Sequence, residues 1–234
     1  MISLIKTLYN KLHIIHNIYI KNRFFIKKKS YSMEKEDLEI TNRLNKIKNG
    51  FYVDVGGYHP VHRNNTFLLY KKNWRGINID LSKFSIDLFN FARPEDINLN
   101  IAVSKTNKKI KYYTQKKISQ LTTIHKDIAN KRMQGPIIEK EILSNTLTAL
   151  IDKTKYKNKR IDFLNIDAEG ADFEILESLN FDVYRPKLIC VEIDNKQIEN
   201  SKIFNFLKKL KYTNQWSATF SYIFTDDTYN FDRV

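Results

Sequence analysis

The stretch Phe51-Tyr-Val-Asp-Val-Gly-Gly-Tyr-His59 decides how this chain folds. A short β-prone run, Phe51–Val55, closes in a glycine pair, as a buried strand does when it ends in a tight turn. Gly56 and Gly57 let the backbone turn and come close to a ligand with no Cβ in the way. Asp54 puts a carboxylate at the strand tip, able to accept hydrogen bonds from an ammonium group or ordered water. Outward from this point, short apolar runs alternate with helical patterns. Further strands are predicted at 76–79, 97–103, 161–166 and 188–193, with helices at 66–72, 82–91, 147–153 and 172–179. This alternation predicts an α/β domain, a mostly parallel sheet with helices on both faces. A helix at 201–210 precedes two β-like runs, 212–216 and 220–224, close enough to pair as an antiparallel end. Residues 110–114 read as a small extra strand. Residues 115–145 are polar, lysine-rich and weakly periodic, and are read as a lid or a partly disordered insertion.

A chain of 234 residues, 42% apolar, suits one such domain with an appendage. Residues 1–35 are assigned to a basic amphipathic arm and linker, and residues 36–234 to the domain, which starts with a short helix at 36–48 ended by Gly50. The net charge of +14 ordinarily points to nucleic acid or an anionic membrane. The counts of 31 Lys, 24 Asn and 30 Ile against 9 Arg, 6 Gly and 4 Pro point instead to the residue bias of an A- and T-rich genome. Charge is also uneven. Lys6, Lys11, Lys21, Arg23 and Lys27 to Lys29 supply seven of the fourteen net charges before the first acid, Glu34. The remainder is only mildly basic, so nucleic acid is not an expected partner. Cys190, the single cysteine, lies in an apolar run and reads as a small buried hydrophobe.

In the arm, Leu4, Leu8, Leu12, Ile15 and Tyr19 recur at helical spacing, with Lys6, Asn10, His13, Asn17 and Lys21 roughly opposite. No apolar stretch approaches the roughly 20 residues that cross a bilayer, and no secretory cleavage site follows. Three readings stand: a helix packing on the domain or on another subunit, a helix on an anionic membrane surface through residues 1–29, or an organelle-targeting sequence. The expected location is the cytoplasm, at the membrane periphery if the arm binds lipid.

Ligands of open α/β sheets bind beyond the carboxyl ends of the strands, where strand order reverses. Asp80 ends the second predicted strand about 25 residues after the first, well placed for two ribose hydroxyls. The dinucleotide fingerprint and the Walker A lysine motif are both absent.

Six runs taken together carry a family resemblance: Tyr52-Val-Asp-Val-Gly-Gly-Tyr-His-Pro-Val61, Asn65-Thr66, Lys72-Asn-Trp-Arg-Gly-Ile-Asn-Ile-Asp80, Ile97-Asn-Leu-Asn-Ile-Ala-Val-Ser104, Ile161-Asp-Phe-Leu-Asn-Ile-Asp-Ala-Glu-Gly170 and Tyr184-Arg-Pro-Lys-Leu-Ile-Cys-Val-Glu192. In that order they resemble the FkbM family of methyltransferases. The resemblance implies a Rossmann-like, seven-stranded, mostly parallel sheet with an antiparallel last strand, and S-adenosylmethionine as methyl donor. By position it puts Asp54, Gly56 and Gly57 on the methionine side, Asp80 on the ribose, Asn100 or Ala102 near the adenine and Asp167 at the methyl-transfer centre. Asn65 and Thr66 would close the methionine end. Tyr58 departs from the smaller or hydrogen-bonding residue common in relatives, and would stack on the ligand or narrow its pocket.

Asp167-Ala-Glu-Gly170 and Glu192-Ile-Asp-Asn195 end two predicted strands on the same side of the sheet, so their carboxylates can converge. Like charges at close range need a cation, hydrogen bonds or a retained proton. Asp167 or Glu169 can act as base on a hydroxyl acceptor. Asp167, Asp194 and Asn195 can instead hold Mg²⁺. A third role has Glu169 capping the following helix. His59, beside the glycine loop, is a further base candidate, with His62 and His125 behind it. The expected activity is O-methylation of a sugar or other small-molecule hydroxyl. RNA methylation, favoured by charge alone, and an inactive membrane-associated scaffold are the alternatives.

Overall fold

Strands form where the apolar runs stand in the computed structural model, which describes residues 2–194 and 197–230. In chain order come α1 (Ile2–Ile15), α2 (Glu36–Arg43), β1 (Phe51–Val55), α3 (Phe67–Lys71), β2 (Arg75–Asp80), α4 (Lys83–Ala92), β3 (Ile97–Asn100) and β4 (Ala102–Val103). There follow β5 (Lys109–Thr114), α5 (Lys126–Arg132), β6 (Ile138–Asn145), α6 (Leu147–Asp152), β7 (Phe163–Ile166) and α7 (Asp172–Glu177). The chain closes with α8 (Phe181–Tyr184), β8 (Leu188–Glu192), α9 (Lys202–Lys209), β9 (Tyr212–Ser217) and β10 (Ser221–Asp226).

Seven strands make one sheet in the order β3-β2-β1-β7-β8-β10-β9. The first five in that order run parallel, and β10 is antiparallel to both β8 and β9. Along β1, Phe51, Val53 and Val55 enter one core with Ile77, Leu164 and Ile189, while Tyr52 enters the opposite core with Phe163, Cys190 and Trp74. Burial on both faces is why these parallel strands read as continuous apolar runs rather than alternating ones. The chain leaves β1 for β2 on one side and meets β7 on the other, so a crevice opens at the carboxyl tips of β1 and β7.

Two predictions are corrected here. The run at 97–103 is split: β3 pairs with β2 up to Asn100, and β4 then pairs with β6. Residues 115–145 hold two ordered elements, α5 and β6, instead of partial disorder, and a second sheet forms in the order β4-β6-β5; the lid reading is untouched by this. The sequence carries little sign of this sheet because β6 is mostly exposed and is held by cross-strand ion pairs, Lys109–Glu141 and Lys111–Glu139, in place of apolar alternation.

The arm lies on α4. Past α1 it widens into a π-helical turn, His16–Lys21. His13 stacks on Phe84 with ring centroids 4.4 Å apart, and Ile18 is buried against Phe84 and Leu88. Leu8, Leu12, Ile15 and Tyr19, from the predicted apolar face, all stay exposed. The side chain of Leu4 lies outside the described residues.

Candidate active site

The loop after β1 is built around a close approach. Gly56 sits at φ +80°, and a Cβ there would meet the Asp167 carbonyl oxygen at 1.8 Å. Its N–H donates to the Ile79 carbonyl at 2.9 Å, so bare backbone is clamped between the tips of β2 and β7. Tyr58 then adopts φ +51°, a left-handed conformation that costs a side-chain-bearing residue about 1 kcal/mol. That turn aims the Tyr58 N–H at Asp80 Oδ2, 2.9 Å away, while the Ser82 N–H reaches Oδ1 at 2.7 Å. Burial raises the Asp80 carboxyl to about 6 against the pull of those two donors.

Beneath the loop Asp54 is fully buried. Its Oδ1 accepts from Asn165 Nδ2 at 2.8 Å, and its Oδ2 from Thr66 Oγ1 at 2.7 Å and Asn64 Nδ2 at 3.2 Å. Arg93, buried as well, donates to Thr66 Oγ1 at 2.8 Å, to Asn64 Oδ1 at 2.6 Å and to the Pro60 carbonyl. Stripping a carboxylate of water costs several kcal/mol unless such partners replace it. The pair of opposite charges, relayed through Thr66 and Asn64, therefore fixes the loop from Gly57 to Thr66.

Two adjoining recesses open at the strand tips and share Gly56, Gln120 and Asp167 in their walls. The narrow one, about 50 Å³, runs over Asp80 between Tyr58 and the apolar side chains of Ile101, Ala102 and Ile175. The wide one, about 540 Å³, falls within the roughly 300–1,000 Å³ of small-molecule sites. Seven carboxylates line it against two arginines, Arg63 and Arg132.

Asp167, Glu169 and Glu192 bring carboxylate oxygens within 4.8 Å of one another. Asp167 is exposed as a residue, yet its carboxyl is desolvated among the other acids, and that, then the charge of Glu192, pushes it well above the usual carboxylate range. Burial, then Glu169, raises Glu192 to about 7. The Asp167 and Glu192 carboxyls lie close enough that a single proton shared between them would remove the repulsion. Glu169 is answered by Arg132, whose Nη1 lies 2.6 Å from Glu169 Oε2 and whose Nη2 lies 2.6 Å from Asp194 Oδ2. Asp172 holds the turn itself, accepting from the Ala168 N–H at 2.8 Å and the Gly170 N–H at 3.0 Å.

A family model, the Methyltransferase FkbM domain, matches residues 54–213. The chain belongs to the FkbM methyltransferase family. The matched span holds the glycine loop, Asp80 and the acid cluster. No curated protein matches the chain significantly. Among solved structures, the Methyltransferase FkbM from Methylobacillus flagellatus is similar in fold at a TM-score of 0.54 and 10% identity, covering 94% of this chain and 53% of that one. This chain thus spans about half the length of that structure. M. capricolum TrmK, solved with S-adenosyl-homocysteine, is 12% identical over 81% of this chain and 68% of its own, with a TM-score of 0.42. A TehB-like SAM-dependent methyltransferase from Corynebacterium glutamicum is 10% identical over 94% and 97%, also at 0.42.

In this FkbM-family chain the wide recess brings together Asp54, Gly56, Gly57, Asn65 and Asp167, and the narrow one Gly56, Tyr58, Asp80 and Ala102. Several predictions are corrected. Thr66 lines neither recess, because its hydroxyl is spent behind Asp54. Asn100 ties the tip of β3 down instead, donating to the carbonyls of Asp80 at 3.0 Å and Leu81 at 2.9 Å. Asp194 is held by Arg132 outside the three-acid cluster, so Glu192 takes its place beside Asp167; Asn195 lies outside the described residues. His59 is no base. It is 2% exposed; its Nδ1 accepts from the Val61 N–H at 3.1 Å and the His62 N–H at 2.9 Å, and its Nε2 donates to Asn17 Oδ1 at 2.9 Å. Burial and nearby cations lower it to about 3, so it is a neutral strut between loop and arm. His62 and His125 line neither recess. Glu169 faces Arg132 instead of capping α7.

Arg93, Asn64 and Arg132 were missed in the sequence. A signal for the arginines was present. In a chain with 31 Lys to 9 Arg, arginine stands where a planar head with several donors is used, as at both of these positions.

Proposed function

We propose that this protein transfers the methyl group of S-adenosylmethionine to a hydroxyl of a neutral, polyhydroxylated acceptor, a sugar being the simplest. The residues at the strand tips fit that donor. Bare backbone at Gly56 and Gly57 gives close access to its amino-acid part, Asp80 offers carboxylate oxygens to ribose hydroxyls, and the walls at Ile101, Ala102 and Ile175 suit a flat apolar base. When bound, S-adenosylmethionine supplies an electrophilic methyl group on a sulfonium. The chain's own part is to seat the acceptor hydroxyl and take its proton. Glu192, poised near neutrality in its pair with Asp167, is the base suited to that task.

One observation carries the choice of acceptor: seven carboxylates line the wide recess of a chain whose net charge is +14. Such a wall accepts hydrogen bonds from hydroxyls and repels phosphates, which favours a polyol over RNA. The cluster's charge is also balanced internally, by the shared proton and by Arg132. Methyl transfer is therefore expected to continue undiminished in EDTA. Incubation with labelled S-adenosylmethionine and separated cell glycans, lipids and RNA tests the reading: label is expected in the glycans. Label confined to RNA, or activity lost in EDTA and restored by Mg²⁺, would overturn the acceptor or the base assignment respectively.

A further inference from the structure

The arm presents an apolar stripe that the fold holds away from its own core. Ile5, Leu8, Leu12, Ile15 and Tyr19 follow one another at spacings of three and four, and all are exposed, Leu8 at 59% and Leu12 at 57%. Ile20, within the π-helical turn, and Phe25 beyond it, the latter 70% exposed, extend the surface. The stripe cannot turn inward without losing what anchors the arm. Its other face is committed: His13 on Phe84, Ile18 against Leu88, and Asn17 bonded to His59. A contiguous apolar surface of this kind on a folded protein marks a docking face.

Charge identifies the occupant. Lys11, Lys21, Arg23, Lys27, Lys28 and Lys29 are exposed around the stripe, and no acid precedes Glu34. None of these six makes an ion pair with an acid among the described residues. A second copy seated on the stripe would bring two such basic surfaces together, at a Coulombic cost. An anionic lipid surface satisfies both features at once: acyl chains receive the apolar side chains, and headgroups receive the lysines. No described helix is long and apolar enough to cross a bilayer, so the contact lies along the surface. We infer that residues 5–29 form a peripheral docking site for anionic membrane, held rigidly on α4 and wired to the glycine loop through Asn17 and His59.

Flotation of the full chain with lipid vesicles tests this. The protein is expected to float with vesicles containing phosphatidylserine and to stay behind with phosphatidylcholine alone. The double variant Leu8→Glu, Leu12→Glu changes only exposed side chains, so it should fold normally and lose flotation. Lys27→Gln, Lys28→Gln and Lys29→Gln together should weaken vesicle partitioning about 100-fold, at about 1 kcal/mol per lysine. Wild-type protein that ignores phosphatidylserine vesicles, or a leucine double variant that floats as well as wild type, overturns the inference. A concentration-dependent dimer that the leucine variant dissolves, with no flotation, assigns the stripe to a second copy and overturns it equally.

Discussion

Glu192→Gln is expected to lower the methyl-transfer rate by about 100- to 10,000-fold, the range that a positioned base supplies. The fold should survive, because the amide keeps the shape of the acid and its place at the end of β8. The pH profile gives the sharper test. A base works unprotonated, so the wild-type rate should climb as pH rises through about 7 and level off above it. In Glu192→Gln that climb should disappear. Asp167→Asn makes a companion: its side-chain N–H would stabilise the ionised Glu192, moving the climb to lower pH while weakening the base. Steady-state rates across the pH range check both. A Glu192→Gln enzyme with the wild-type rate and profile would take the base assignment away from this pair.

Gly56→Ala is the second large effect. An added Cβ would sit 1.8 Å from the Asp167 carbonyl oxygen, a backbone atom with β7 behind it, and φ is +80°. Left-handed strain of about 1–2 kcal/mol and an overpacking cost of about 1–3 kcal/mol add, so a loss of about 2–5 kcal/mol is expected in urea unfolding, with donor binding abolished. Gly57→Ala should be milder. Its Cβ would meet Phe89 Cζ at 2.9 Å, a ring edge that can yield. Equal stability of Gly56→Ala and wild type would mean that the loop is not clamped as described.

The sheet was legible because its central strands are buried on both faces and therefore read as apolar runs, Phe51–Val55 most clearly. The second sheet was not, because β6 answers β5 with ion pairs on an exposed ribbon. At the site, the strand tips gave Asp54, Asp80 and Asp167, whose positions follow from where each strand ends. What they bond to depends on contacts distant in sequence. Arg132 reaches Glu169 only because α5 folds back over the tips, a contact across 37 residues. His59 was misjudged for a local reason: the left-handed turn at Tyr58 sends the next side chain under the loop toward Asn17. Glu192 rather than Asp194 joins Asp167 because β8 ends at Glu192, and the chain beyond it leaves the sheet.

Calorimetry of S-adenosylmethionine binding to the full chain tests the central claim most directly. Saturable one-to-one binding is predicted for the wild type. Asp80→Asn, which keeps the shape but loses the charge offered to the ribose hydroxyls, should bind about 10- to 100-fold more weakly. Folded wild-type protein that gives no binding heat and no shift in melting temperature with S-adenosylmethionine would contradict the account.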